Sequence, residues 1–573
     1  MCGIICLLQY GPSKLDLDRA LSSLQTLEPR GPDGSNYLVI HPHTPVEVFM
    51  GFARLAIVDT TMNGMQPFTD MSGSTVVCNG EIYNYRELID KHDLEDDIIS
   101  NSDCAVLLPL YHKVGIKEML LNELDAEFAT VLYASESNRI YAARDRYGVR
   151  PLYYGFNNTT RTIGFASELK ALHNIMEHVE QVRPGDLLEI DMMIYAPDVS
   201  SLVHASPYYS YNNLSPGSPS VVHPGSSAIR SLPSCSLPND RSVIMGHLRT
   251  LFTEAVSKRL SADRSVGFLL SGGLDSSLIV AIASRILGPS NMVCFSVGDP
   301  SSPDVIAAKQ VCEYLGITNH HIIPFSPTLG ILNLDRTIEM IETYDVTTIR
   351  ASVPQELMAQ YIKKHTDVCV LLSGEGSDEI HGSYRYFRDA PSAEEHHTES
   401  VRLLRDLCYF DNQRTDRTMA GNGLEVRVPF LDYAYVEYVL TSNPELWCYR
   451  EGQMEKQLLR DSFRGYLPDS VLYRSKEAFS DAVSSSETNW IDHLKATAIQ
   501  AVCERPDNSY SWLINPPLTT DAIYMRLLFE QFYPGRDCVL PYYWLPRFQT
   551  EAVVDPSARV LKCYWSHLQL LKC

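Results

Sequence analysis

The sequence predicts two domains of different architecture: an N-terminal half of layered sheets and a C-terminal half built as a parallel α/β sheet. Three observations carry the prediction. Up to about Asp191, short β-rich runs such as STVVCNG and TVLYA alternate with turn clusters such as RGPDG and ARDRYG, the rhythm of sheets joined by tight turns. Between about Ser200 and Asp240 the composition shifts to Ser, Pro and Gly, as in LSPGSPS and HPGSS. Such a stretch buries too little apolar surface to offset its ordering entropy, so a linker or inserted loop is expected there. Beyond it strands alternate with helices, which implies a parallel sheet.

At 573 residues the chain exceeds the roughly 250–300 residues at which a single hydrophobic core stops growing. The boundaries read as 2–195 for the first domain, 196–240 for the linker or insertion, 241–535 for the second domain and 536–573 for a tail without a recognisable pattern. In the second domain Ile244, Leu248, Leu251, Phe252, Ala255 and Val256 recur at helical spacing, and SVGFLL then makes a buried strand running into SGGLDSS. A second helix, LIVAIASRIL, stops at Gly288-Pro289. The same strand-then-loop pattern returns at DVCVLLSGEGSDE, with β-formers from Val368 to Leu372. Both Gly-rich loops follow strands, and ligands of open α/β sheets bind at the carboxyl ends of strands.

Composition excludes several classes. A net charge of -22 repels phosphate backbones, so nucleic acid is not an expected partner. The 14 cysteines contain no C-x-x-C pair, which argues against a zinc ribbon and for reduced thiols in a cytoplasmic protein. The start MCGIICLLQYGP lacks the basic and cleavage regions of a signal peptide, and no apolar run approaches the roughly 18–20 residues that cross a bilayer. Small-molecule substrates are the expected partners, and a homodimer is left open.

The N-terminal half carries one chemical constellation. If Met1 is removed, Cys2 becomes the first residue and its thiol lies beside its own amine, whose pKa of roughly 7.7–8.0 suits a general base. A second-position cysteine alone is usually incidental; its companions change that. Thiolate attack on an amide builds an oxyanion that needs pre-aimed donors, and Asn79-Gly80 in NGEIYN offers a side-chain amide beside a backbone N–H. Arg54 suits a substrate carboxylate, and Glu81 and Asp103 suit its ammonium. MCGI, RGPDG, RLAIVD (Arg54 to Asp59), NGEIYN (Asn79 to Asn84), Ser102-Asp103 and ARDRYGVRPLYY together resemble the class II glutamine amidotransferases. The resemblance implies a catalytic Cys2, an oxyanion hole at Asn79 and Gly80, and a glutamine clamp of Arg54, Leu55, Ala56, Ile57, Val58, Glu81 and Asp103. Two positions depart from the family pattern: Phe52 stands where many members have histidine, and Ala126 interrupts the usual LDG.

In the C-terminal half, SGGLDSS (Ser271 to Ser277) combines close backbone approach at Gly272 and Gly273, convergent N–H groups at a helix start and three hydroxyls, the makings of an anion cradle. Asp275 in its middle would repel phosphate unless a cation intervenes, which points to Mg²⁺. Walker A is excluded, because no G-K-[ST] follows. The loop resembles that of the ATP-pyrophosphatase superfamily. ETYDVTTIRAS, SGEGSDE, EVRVPFLD, MEK and RSKEAFSD resemble the asparagine synthetase B family. That likeness covers about residues 2–195 and 240–535. It implies Asp275 and Asp378 on Mg²⁺; Ser271, Gly272, Gly273, Ser276 and Ser277 around pyrophosphate; Leu269, Val297, Ser373 and Gly374 against the nucleotide; Lys476 facing the polyphosphate; Thr347 and Arg350 at aspartate; and Glu375 as the acid governing adenylate formation and amidation. HGSY at His381 to Tyr384 departs from the usual GGY, and His381 is read as a tolerated loop residue.

The fold implied by these resemblances is an N-terminal nucleophile hydrolase αββα sandwich followed by a doubly wound synthetase domain. The reaction implied is ATP, L-aspartate, L-glutamine and water going to AMP, diphosphate, L-asparagine and L-glutamate, through a β-aspartyl-AMP intermediate and channelled ammonia. Two alternatives are weighed: a related amidotransferase acting on another carboxylate, which TYDVTTIRAS argues against, and a catalytically silent homologue, which the joint presence of Cys2, Asn79, Asp275, Glu375 and Asp378 argues against.

Overall fold

The computed structural model describes the chain except residues 12, 43–44, 219–239, 450–452, 476–488, 506–510, 550–551 and 557–573. In the N-terminal half the strands are β1 (Gly3–Tyr10), β2 (Gly34–Ile40), β3 (Val46–Arg54), β4 (Phe68–Thr69), β5 (Thr75–Ile82), β6 (Ala126–Ala134), β7 (Arg139–Arg144), β8 (Tyr153–Asn157), β9 (Thr162–Ala166), β10 (His178–Gln181), β11 (Asp186–Asp191) and β12 (Val203–Pro207). They form two antiparallel sheets, ordered β10-β8-β9-β1-β3-β2 and β12-β11-β7-β6-β5-β4. The period-2 alternation of a strand explains the layering. From β1, Ile4, Cys6 and Leu8 enter the core between the sheets with Val77, Val131 and Ala142. Ile5 and Leu7 face the other way, packing against Leu24 and Leu27. Helices such as Leu17–Gln25 and Leu107–Val114 cover the outer faces. This is the predicted αββα sandwich.

The C-terminal half holds one parallel sheet of β13 (Ser265–Leu269), β14 (Cys294–Val297), β15 (His320–Ile323), β16 (Val368–Leu372) and β17 (Glu425–Arg427), ordered β15-β14-β13-β16-β17. The strand order runs outward in both directions from the β13/β16 pair. Their carboxyl ends lead into SGGLDSS and SGEGSDE, so both loops open at the switch point of a doubly wound sheet.

The span read as a linker is ordered in its first part. Val203–Pro207 pairs with β11, Tyr208 Oη donates to Arg144 O at 2.8 Å, and Tyr211 Oη donates to Arg146 O at 2.7 Å. Local Ser and Pro content concealed three tyrosines that pack onto neighbouring buried groups. Residues 219–239 of that span lie outside the described residues.

The two halves meet through buried ion pairs. Arg30 Nη1 lies 2.7 Å from both Glu168 Oε1 and Asp416 Oδ2, and Arg259 bridges Glu127 and Asp432 at 2.8 Å each. Residues nearly 400 positions apart in sequence thus share one charge network.

Candidate active sites

At the N-terminal site, the register Gly3↔Ala53 of β1 and β3 sets Cys2 beside the chain leaving Arg54. Leu55 N–H points at Cys2 Sγ from 3.4 Å, and the thiol reaches Leu55 O at 3.6 Å. Burial pushes the Cys2 thiol up to about 11, so a nearby base is needed to generate thiolate at neutral pH. Here Met1 precedes it, and the Met1 ammonium is buried against Leu424 O at 3.3 Å.

Asn79 and Gly80 lie on β5, which packs across from β1. Asn79 is 1% exposed, and among the described residues its Nδ2 has no hydrogen-bond partner. A buried amide donor without a partner costs about 1–3 kcal/mol, so its retention points to a ligand acceptor. At Gly80 a Cβ would lie 2.4 Å from Glu127 O on β6. Only glycine fits.

The residues expected to clamp glutamine are mostly engaged with partners of the chain itself. Arg54 donates to the carbonyls of Thr61 and Asp59, Ala56 N–H to Asp33 Oδ2 at 2.9 Å, and Leu55 and Ile57 pack with Cys369 and Val370, with Val58 at the edge of that cluster. Asp103 accepts from Ile82 N–H at 2.7 Å, and burial raises its carboxyl to about 6. Glu81 lies 3.1 Å from Arg427 of β17, and burial raises it well above the usual carboxylate range.

The C-terminal site is a cavity of about 330 Å³, within the roughly 300–1,000 Å³ of small-ligand sites. Leu269, Ser271, Gly273, Asp275, Ser276, Val297, Thr347, Arg350, Ser373, Gly374, Glu375 and Asp378 all line it. Gly272 does not; its φ of +77° and the 2.5 Å approach that a Cβ there would make to Asp304 O each favour glycine. Gly273 begins the helix Leu274–Leu287 without a side-chain cap, leaving first-turn N–H groups for an anion. Ser277 Oγ behind the loop is buried and has no partner among the described residues. Lys476 lies outside the described residues.

Asp275 and Asp378 converge on a single ammonium. Lys456 Nζ lies 2.7 Å from Asp275 Oδ1 and 2.6 Å from Asp378 Oδ1. Two hard carboxylate oxygens around one positive centre fit Mg²⁺, which takes one or two protein carboxylates and completes its shell with water and phosphate oxygens. The sequence contained this lysine within MEK, but spacing could not say that it would reach across to both acids. Ser377 Oγ also donates to Asp275 at 2.7 Å. His381, behind it, uses both ring nitrogens, one 2.7 Å from Ser377 O and the other 3.1 Å from Tyr435 Oη. Burial lowers His381 to about 3, so it stays neutral as a packing residue.

Glu375 lies 3.0 Å from Arg414, which also holds Asp411 at 2.7 Å; burial raises the Glu375 carboxyl all the same. Glu379 beside it is pushed up to about 8 by burial and by Asp411. Arg414, Asp411, Glu379 and Tyr384 line the cavity and were not singled out from sequence, where nothing shows that Arg414 reaches back 39 residues to Glu375. Thr347 Oγ1 donates to Asp345 at 2.6 Å. Arg350 is buried between Asp521 at 2.6 Å and Asp555 at 3.0 Å.

A family model described as a glutamine amidotransferase domain matches residues 1–228, and one described as asparagine synthase matches 247–402 and 389–525. A probable glutamine-hydrolyzing asparagine synthetase of Acanthamoeba polyphaga mimivirus is 51% identical over 561 residues, covering 98% of this chain and 100% of that one. The glutamine-hydrolyzing asparagine synthetase of Gallus gallus is 38% identical over 587 residues, covering 99% of this chain and 100% of that one. Both chemical halves and nearly the full length are matched, and the chain belongs to the glutamine-hydrolysing asparagine synthetases.

Proposed function

We propose that the protein makes L-asparagine from L-aspartate, ATP and glutamine-derived ammonia. The observation that carries this reading is the convergence of Asp275 and Asp378 on one cation within the cavity lined by Glu375, Thr347 and Arg350. In this reading Cys2, freed of Met1, attacks the glutamine side-chain amide with its own amine as base. Asn79 Nδ2 and Gly80 N–H receive the oxyanion. Arg54 takes the glutamine carboxylate; Glu81 and Asp103 take its ammonium. In the second half the uncapped helix start after Gly273 receives the polyphosphate, and Leu269, Val297, Ser373 and Gly374 border the nucleotide. Asp275 and Asp378 would hold Mg²⁺, whose charge offsets that of the phosphates. Arg350 and Thr347 orient aspartate. Glu375 accepts the proton that the attacking ammonia must lose. Ammonia released into bulk water would mostly protonate, so a closed passage through the ion-paired interface is part of the proposal. Free thiols on 11 described cysteines favour a reducing, cytoplasmic setting; among the described residues no helix is long and apolar enough to cross a membrane.

The test is a paired assay of asparagine and diphosphate with aspartate, Mg-ATP and either glutamine or ammonium as donor. Equal amounts of the two products are expected with both donors. Cys2→Ala should abolish the glutamine-driven reaction and spare the ammonium-driven one. Diphosphate release that does not depend on aspartate would refute the substrate assignment.

A further inference from the structure

Arg350 is not open in this structure. Two acids hold its guanidinium, and they differ in kind. Asp521 lies in the first turn of the helix Thr520–Phe532, where Thr519 Oγ1 also bonds it at 2.7 Å; it belongs to the frame. Asp555 lies in the C-terminal segment, outside any helix or strand. Its Oδ1 accepts from Arg350 Nη1 at 3.0 Å, and its Oδ2 from Lys495 Nζ at 2.5 Å. One carboxylate, 7% exposed, is thus gripped by cations from two separate helices, Val346–His365 and Trp490–Cys503. A free carboxylate ligand would meet the same arrangement. The adjoining Pro556 lines the cavity that holds Glu375 and Asp275, as does Trp544 from the same tail. Among the described residues Arg350 Nε is buried without a hydrogen-bond partner, which leaves the guanidinium donor capacity there.

We infer that Arg350 and Lys495 together form the site for the α-carboxylate of the substrate aspartate, and that Asp555 is its built-in occupant, displaced when substrate enters. The inference rests on the reading of Arg350 as an aspartate-binding residue. The occupant and the ligand carry the same functional group. Asp521 stays on the Arg350 guanidinium, but without Asp555 the side turned to Lys495 would hold two cations with no acid between them, which is unfavourable, and a carboxylate on the same chain supplies one at high local concentration whenever the site lacks substrate. The apparent affinity for aspartate is then reduced by the fraction of molecules whose tail is seated. No bond is made or broken; one ion pair replaces another.

Ammonium-driven synthesis tests this without involving Cys2. Asp555→Asn, and separately a chain ending at Val554, should each lower the KM for aspartate by roughly tenfold or more, the scale of one charge-assisted hydrogen bond. The KM for ATP and the glutaminase rate should stay unchanged. In the Asp555→Asn background, Lys495→Met should raise the aspartate KM again. An unchanged or raised aspartate KM in both folded variants would overturn the proposal and make Asp555 a structural anchor. Arg350→Lys separates the two readings. If it leaves the aspartate KM unaltered, the assignment of Arg350 fails; if it raises that KM while Asp555→Asn does not lower it, the tail proposal alone fails. Should the variants not fold, hydrogen exchange on the unmodified chain decides. Amides of residues 552–555 should exchange faster once aspartate and a non-hydrolysable ATP analogue are added, and unchanged or slower exchange would refute displacement.

Discussion

At the N-terminal site the proposed oxyanion donor, Asn79 Nδ2, is buried and unbonded among the described residues, whereas in the C-terminal cavity the charges already have partners. Lys456 sits between Asp275 and Asp378, Arg414 on Glu375, and Asp555 on Arg350. The difference follows from what burial costs. A neutral amide left unpaired costs about 1–3 kcal/mol, which a fold can carry. A buried charge without a partner costs several kcal/mol, so it is matched internally until a ligand takes over. The N-terminal site thus holds a pre-aimed neutral donor, while in the proposed function the charges of the C-terminal cavity, like Glu81 on Arg427 at the first site, give up internal partners when ligand binds.

Breaking the charged site should have the larger effect. Glu375→Gln keeps the volume and removes the ionisable group, so asparagine formation should fall by roughly 10² to 10⁴ while glutamine hydrolysis continues. Measuring both half-reactions and the melting temperature of the same variant checks this. A carboxylate that merely braces Arg414 would instead give a less stable protein with normal synthesis.

Breaking the pre-aimed site should come next. Asn79→Ala should lower the glutaminase rate constant by about 10² to 10³, the scale of one oxyanion-hole donor, with ammonium-driven synthesis untouched. Because the Nδ2 has no partner among the described residues to lose, stability should hardly change, and a large drop in melting temperature would show a structural role.

The smallest effect concerns acidity. Asp103, raised to about 6 by burial, is ionised above that pH and protonated below it. Only the ionised form can hold the glutamine ammonium, so kcat/KM for glutamine should decline as pH falls through about 6, well above the usual carboxylate range. A pH profile of hydrolysis reads this directly, and Asp103→Asn should remove the acid limb.

Much of this was legible in the chain itself. The alternation in β1, the strand before SGGLDSS and the strand before SGEGSDE are local patterns, set by side-chain periodicity over a few residues, and they were enough to assign both domain types. Candidate residues in short motifs were legible for the same reason: Gly80 stands next to Asn79 whatever the tertiary arrangement, and Gly273 opens its helix by its place in the loop. The Ser/Pro-rich span shows where such reading stops, since β12 forms there only because β11 offers an edge and Arg144 and Arg146 offer carbonyls to Tyr208 and Tyr211.

What the sequence determined by itself was therefore which chemical groups exist and which local element presents each one. Tertiary structure alone decided how charges pair across the chain: Lys456 with Asp275, 181 residues away, Glu81 with Arg427, and Asp555 with Arg350, 205 residues away. The reason is physical. An ion pair depends on separation in space and on burial, and neither is encoded in spacing along the chain, so a lysine in MEK acquires its meaning only when the sheet ends bring it to the acids of the cavity, and an aspartate in a featureless tail only when the helices bring it to Arg350.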